Sequence, residues 1–255
     1  MKSKRLFRID WSKKGLNTIL SPENTELETL TVASLSLEKD ETYTISFEDE
    51  EFMLSIIKGI IEVQRQKSEQ LTVHDVIFGG PKTEATIKAL SEKVYGIVAS
   101  APSTIEPVLK VVKLKDVIKD PNLYKVVGEE NCTRDVITMI GDNIKAARLI
   151  AGYTWVRKGN WSSWPPHEHG DKMEEVYIFY ELPAPGYGLQ LVYETYEDAD
   201  IFLVRENDIV VIPRGYHPNV VAPGFGMKYL WIISAKKAFE DRIYGAWRTH
   251  PDFQK

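Results

Sequence analysis

A single cysteine among 255 residues leaves Cys132 without an intrachain partner, which excludes a disulfide framework and fits a reducing compartment. No histidine lies near Cys132 to activate it, so the thiol is read as inert. Positive charge is not in excess either. Lysine and arginine total 32 against 37 acidic residues, a net charge of −5, which argues against a nucleic-acid or anionic-membrane surface. No apolar run approaches the roughly 18 residues needed to span a bilayer. The basic start, MKSKRLFRIDWSKKG, has no apolar h-region and so is not a secretory signal. These absences predict a soluble, cytoplasmic protein with neither a nucleic-acid nor a membrane partner. Sustained 3.6-residue periodicity is also weak, and only a few short helices are expected, near residues 20–30, 115–123 and 236–245. Histidine is scarce, at five residues, so any clustering of them carries information.

What the chain has in quantity is short β-branched and aromatic runs, such as ETYTISF, FMLSIIKG, KVYGIVAS, RDVITMI, GLQLVYET and MKYLWIIS, punctuated by Gly, Pro, Asp and Asn. Many short strands and few helices predict an all-β fold that closes as sandwiches or barrels. A degenerate repeat divides the chain. DEEFMLSIIKGIIEV followed by HDVIFGG in the first half parallels MEEVYIFYELPAPGYGLQLVY followed by ENDIVVIPRGYHPNV in the second. On this reading Glu50-Glu51 corresponds to Glu174-Glu175, and Asp75 to Asp208. Two related barrels are expected, residues 1–125 and 126–255, joined through Leu109–Val127, with metal ligands only in the second.

Three of the five histidines fall in or near GNWSSWPPHEHGDKMEEVY and IVVIPRGYHP. His167 and His169 are two apart and on a strand would project together. A carboxylate from Glu174-Glu175 and His217 from the later turn complete a three-imidazole, one-carboxylate set suited to one divalent ion, Zn²⁺ first, with Mn²⁺ or Fe²⁺ also compatible. Spacing from His169 favours Glu174. Position before the apolar run favours Glu175, which alternation places on one face with Tyr177 and Phe179, opposite Glu174, Val176 and Ile178. Glu175 is preferred as ligand, leaving Glu174 and Tyr177 as candidates for proton transfer. Arg214, three residues before His217, is the candidate partner for a substrate carboxylate, with Lys158 or Arg248 next in line. Tyr193 and Tyr229 are further candidates for the barrel interior. His74 has no partner histidine and is read as structural, and His250 in the aromatic tail is read as packing or part of a lid.

An HxH pair, a glutamate opening a strand and a later Pro-x-Gly-x-His form the cupin pattern. The second half further resembles the KduI/IolB family of bicupin sugar-acid isomerases. The resemblance is carried by Gly128, Asn131, Arg134 and Val136 (GxxNxxRxV), by Asn160-Trp161-Ser162-Ser163 with Pro165-Pro166-His167 and His169, by Glu174-Glu175-Val176-Tyr177, and by Gly215-Tyr216-His217-Pro218 with Pro223-Gly224. It implies two tandem jelly-roll barrels. It also implies a metal-dependent aldose–ketose isomerase acting on a small sugar acid, a deoxy-uronate, of the 5-deoxy-glucuronate to 5-dehydro-2-deoxy-gluconate type, in myo-inositol catabolism. A metal-dependent oxygenase and a non-catalytic sugar-binding cupin are the alternative functions. A homodimer or higher even assembly is expected, since exposed strand edges invite pairing.

Overall fold

The computed structural model describes residues 4–64 and 68–254. The first three residues of the basic N-terminal stretch lie outside them. Each half packs a large antiparallel sheet against a four-stranded one. In the first half the large sheet runs, in spatial order, Leu109–Val112, Val76–Gly79, Glu50–Lys58, Lys93–Pro102, Thr31–Glu38 and Gly15–Leu20. In the second the order is Leu6–Arg8, Asp208–Ile212, Met173–Tyr180, Met227–Ala235, Leu149–Val156, Arg134–Ile140 and Tyr124–Val127. The strand Leu6–Arg8 thus crosses the expected division and pairs with Asp208–Val210 of the other half. No helix among the described residues is long and apolar enough to cross a membrane.

Period-two alternation sorts side chains into three apolar clusters. The two large sheets lie face to face. Val32, Met53, Phe78, Ile97 and Ala99 of one meet Tyr153, Val176, Ile178, Val211 and Ile232 of the other in one buried core. The opposite faces of the same strands fill the interior of each half, with Leu35, Phe52 and Leu54 in the first and Tyr177, Phe179 and Val210 in the second.

Of the helices expected, only Leu114–Val117 forms among the described residues, overlapping the start of the 115–123 region. Leu20 ends the strand Gly15–Leu20, and residues 21–30 are turns, bends and irregular chain. Their backbone N–H groups are engaged elsewhere: Glu28, Thr29 and Leu30 all donate to the Glu174 carboxylate, at 2.7–2.9 Å. Segment 236–245 is likewise turns.

The repeat is present, but its acidic register differs by one residue from the sequence reading. Ala147, Arg148 and Leu149 donate their N–H groups to Glu51 at 2.7–2.8 Å, mirroring what residues 28–30 do for Glu174. Glu51 therefore corresponds to Glu174, and Phe52 to Glu175. The cross-strand pairs agree. Phe52 opposes Gly79, four residues after Asp75, and Glu175 opposes Ile212, four residues after Asp208. Asp75 and Asp208 do match: each accepts the N–H three residues back and each follows a residue at φ 73°.

Candidate metal centre

Strand Met173–Tyr180 is buried along its whole length and delivers Glu175 into the second half's interior. Glu175 Oε2 lies 3.3 Å from His169 Nε2 and 3.2 Å from His217 Nε2. His167 sits on the two-residue strand His167–Glu168, and its ligand atom lies within 4.8 Å of those of His169 and His217. His217 reaches the cluster from a turn that needs glycine. Gly215 has φ +92°, and a Cβ there would lie 2.6 Å from the Tyr193 carbonyl oxygen.

The donors fit a divalent cation. Ligands about 2.0–2.2 Å from a common tetrahedral centre stand about 3.3–3.6 Å from one another, close to the spacing of Glu175 from the two imidazoles. Glu175 Oε2 and His217 Nε2 are buried with no hydrogen-bond partner, an expense that a shared cation removes. Burial pushes His167 down to about 3, so it is a neutral imidazole with a free lone pair. Burial would raise Glu175, yet the His169 and His217 imidazoles 3.2–3.3 Å from its Oε2 hold it down at about 2. Burial opposes protonation of His169, but the Glu175 carboxylate raises its pKa on balance. A bound cation would displace the proton that this pair holds.

A cavity of about 500 Å³ opens beside the cluster, lined by His167, His169 and Glu175 among others. Its aromatic walls include Tyr177, Tyr229, Trp231 and Trp247, and its cationic side chains are Lys125 and Arg134. The hydroxyls are linked: Tyr177 Oη lies 2.8 Å from Ser163 Oγ, and Tyr229 Oη lies 2.7 Å from Ser162 Oγ and 3.4 Å from Ser163 Oγ. Burial raises Tyr177 well above the usual phenol pKa, so it remains a neutral donor.

The structure brings His167, His169, His217, Glu175, Tyr177 and Tyr229 together. It separates the other candidates from them. Glu174 faces the shared core, where residues 28–30 occupy its carboxylate together with the Thr29 hydroxyl at 2.9 Å, so it is neither ligand nor proton carrier. Arg214 is exposed on the turn and donates to Glu194 at 2.7 Å, away from the cavity. Lys158 is exposed and does not line the cavity. Tyr193 packs against Tyr196 and Tyr216 instead. Arg248 pairs with Glu168 at 2.8 Å. His74 lies between the halves in a cage of Tyr153, Trp155 and Tyr180.

Arg134 is a cation of the site that closeness to His217 in sequence does not reveal. It donates to the Cys132 and Trp164 carbonyls at 2.9 and 2.7 Å, which aims the guanidinium and leaves N–H donors over for a ligand. The signal lies in the GxxNxxRxV run. Gly128 has φ +83°, and a Cβ there would lie 2.7 Å from Arg134 Nη1, so the glycine makes room for the arginine.

The chain is similar to several known proteins. A family model described as the KduI/IolB family matches residues 9–252. The chain is 26% identical over 246 residues to a 5-deoxy-glucuronate isomerase of Halalkalibacterium halodurans, covering 88% of this chain and 89% of that one. It is 25% identical to the enzyme of the same name from Bacillus subtilis strain 168, covering 84% of each. Among solved structures, an IolB-like protein from Salmonella typhimurium superposes with a TM-score of 0.84 at 22% identity over 98% of both chains. The Mn(II)-containing oxalate decarboxylase of Bacillus subtilis superposes with a TM-score of 0.67 at 13% identity, over 98% of this chain and 80% of that one. Both likenesses identify the fold as a bicupin.

Proposed function

Since the chain belongs to the KduI/IolB family, we propose that it is an aldose–ketose isomerase acting on a deoxy-uronate, of the 5-deoxy-glucuronate to 5-dehydro-2-deoxy-gluconate type, in inositol catabolism. The observation that carries this reading is the cluster of three imidazoles and one buried carboxylate beside a sugar-sized cavity that is also lined by the cationic side chains of Lys125 and Arg134. His167, His169, Glu175 and His217 would hold one divalent ion, Zn²⁺, Mn²⁺ or Fe²⁺. Such an ion would polarise a carbonyl and its neighbouring hydroxyl and so acidify the C–H of the hydroxyl-bearing carbon.

The remaining roles fall to side chains in the cavity. Arg134, with Lys125 lining the same cavity, receives the uronate carboxylate in the forked geometry that a guanidinium offers. Trp247, 57% exposed and with its ring 6.0 Å from that of His167, gives a flat apolar wall for the sugar's C–H face. Glu175 is the one carboxylate in the cavity lining among the described residues. Proton movement at the substrate oxygens is therefore assigned to the hydroxyl chain Tyr177–Ser163–Tyr229–Ser162.

The test is metal analysis of the purified protein together with NMR of 5-deoxy-glucuronate incubated with it. One divalent ion per chain is expected, with loss of the aldehyde signal and growth of a ketone. A metal-replete protein that leaves every deoxy-uronate unchanged overturns the isomerase reading in favour of a sugar-binding protein.

A further inference from the structure

Each imidazole of the cluster turns Nδ1 toward a backbone carbonyl, but the carbonyls come from different places. His167 and His217 use residues two positions back in their own loops, Pro165 at 3.3 Å and Gly215 at 2.9 Å. His169 uses Ala246, 77 residues further along the chain, at 3.1 Å. A histidine that donates Nδ1–H to a fixed carbonyl is locked in the tautomer whose Nε2 lone pair can bind metal, and its ring is oriented as well. Two of the three imidazoles are therefore set locally, and the third depends on a remote segment.

That segment is tied down repeatedly along Ile243–Phe253. Tyr244 Oη meets Thr138 Oγ1 at 2.6 Å, and Gly245 makes the turn before Ala246 at φ +84°. Arg248 and Thr249 then pair as a strand with Glu168 and His167, so the backbone bearing the first ligand is also held by the segment. Arg248 Nη2 reaches Glu168 Oε1 at 2.8 Å, and His250 N–H donates to the Pro166 carbonyl at 2.8 Å. Beyond it, Phe253 packs edge-on against Trp164. The contacts fall on both sides of the HxH pair, while residues between Ile243 and Thr249 wall the cavity.

We propose that Ile243–Phe253 is a strap that sets the metal affinity of the centre by holding His169 through the Ala246 carbonyl and the His167–Glu168 backbone through strand pairing. The inference rests on the metal reading of the cluster, but not on the identity of the substrate. Outer partners of metal-bound histidines change affinity by about 10–100-fold, which gives the size of effect to seek.

Two variants test it: a chain ending at Arg242, and Gly245→Val, which strains the turn at φ +84° while leaving the rest of the strap in place. Zinc affinity is measured by competition with a chromophoric chelator. Melting temperature is followed alongside, and the hydrogen-bonded imidazole N–H signals of the zinc-loaded protein are read by NMR. Both variants are expected to stay folded, bind zinc about 10–100-fold more weakly and lose the His169 Nδ1–H signal while keeping that of His217. If the truncated chain does not fold, Gly245→Val alone decides. Unchanged zinc affinity in a folded variant overturns the strap. Failure of wild type to isomerise a deoxy-uronate would sink the proposed function and leave this measurement intact.

Discussion

The adjacent pair Glu174-Glu175 shows how much one residue of strand register decides. Both are buried, at 0% and 3% exposure, yet one carboxylate binds backbone N–H groups from the other half and the other faces three imidazoles. Glu175→Gln should lose most of its bound metal while keeping its melting temperature within a few degrees. Glu174→Gln should keep full metal occupancy. Elemental analysis of the two purified variants checks this, and the reverse pattern would move the ligand to Glu174. Alternation along an apolar strand makes the face on which Glu175 lies legible in the sequence. The arginine that lines the cavity is not legible in the same way. Arg214 is close to His217 in sequence, but its charge is answered by Glu194 on the neighbouring chain segment. Arg134 is distant in sequence and reaches the cavity because Trp164 and Cys132 offer it carbonyls.

At the scale of elements, strands are readable because β-branched and aromatic runs alternate, whereas the loops before them are not. Residues 20–30 look helical only until their N–H groups are traced to a glutamate 144–146 residues away. The exchange is reciprocal, since Glu51 holds residues 147–149 in the same manner, with Ser103 adding a hydroxyl at 2.9 Å. Two equivalent grips should have equivalent strength. Glu51→Gln and Glu174→Gln are each expected to cost about 2–4 kcal/mol, from weakened charge-assisted bonds and a buried amide facing N–H donors. Urea denaturation of both variants measures it. A loss in one without a comparable loss in the other would show that the repeat is not matched at these residues. The same register puts an apolar ring in the first copy where the second has a carboxylate: Phe52 stands where Glu175 stands in the second copy, and a Cβ on Gly79 would come within 2.2 Å of its ring.

Over the whole molecule, the largest apolar cluster belongs to neither half alone, so the two sheets share one core. Its edge contains a titratable group. Burial, helped by the Lys228 charge, holds His74 down at about 4, whereas an unfolded histidine titrates near 6.5. The folded chain therefore binds this proton more weakly than the unfolded chain. Stability should be level above about pH 6.5 and fall as the pH drops toward 4, by ~2–3 kcal/mol for this group. His74→Asn, borrowing the residue that stands at the same φ of 73° in the second copy as Asn207, should flatten that part of the profile. Denaturation midpoints of wild type and variant between pH 4 and 7 provide the comparison, and identical slopes would remove His74 from the acid response. The pairing of Leu6–Arg8 with Asp208–Val210 has a consequence in time. A ribosome adding about 5–20 residues per second releases the first of these strands some tens of seconds before the second exists. The leading strand must wait, unpaired, outside any structure the first half has already formed, and the second half's sheet acquires its outer edge only once Asp208–Val210 has emerged.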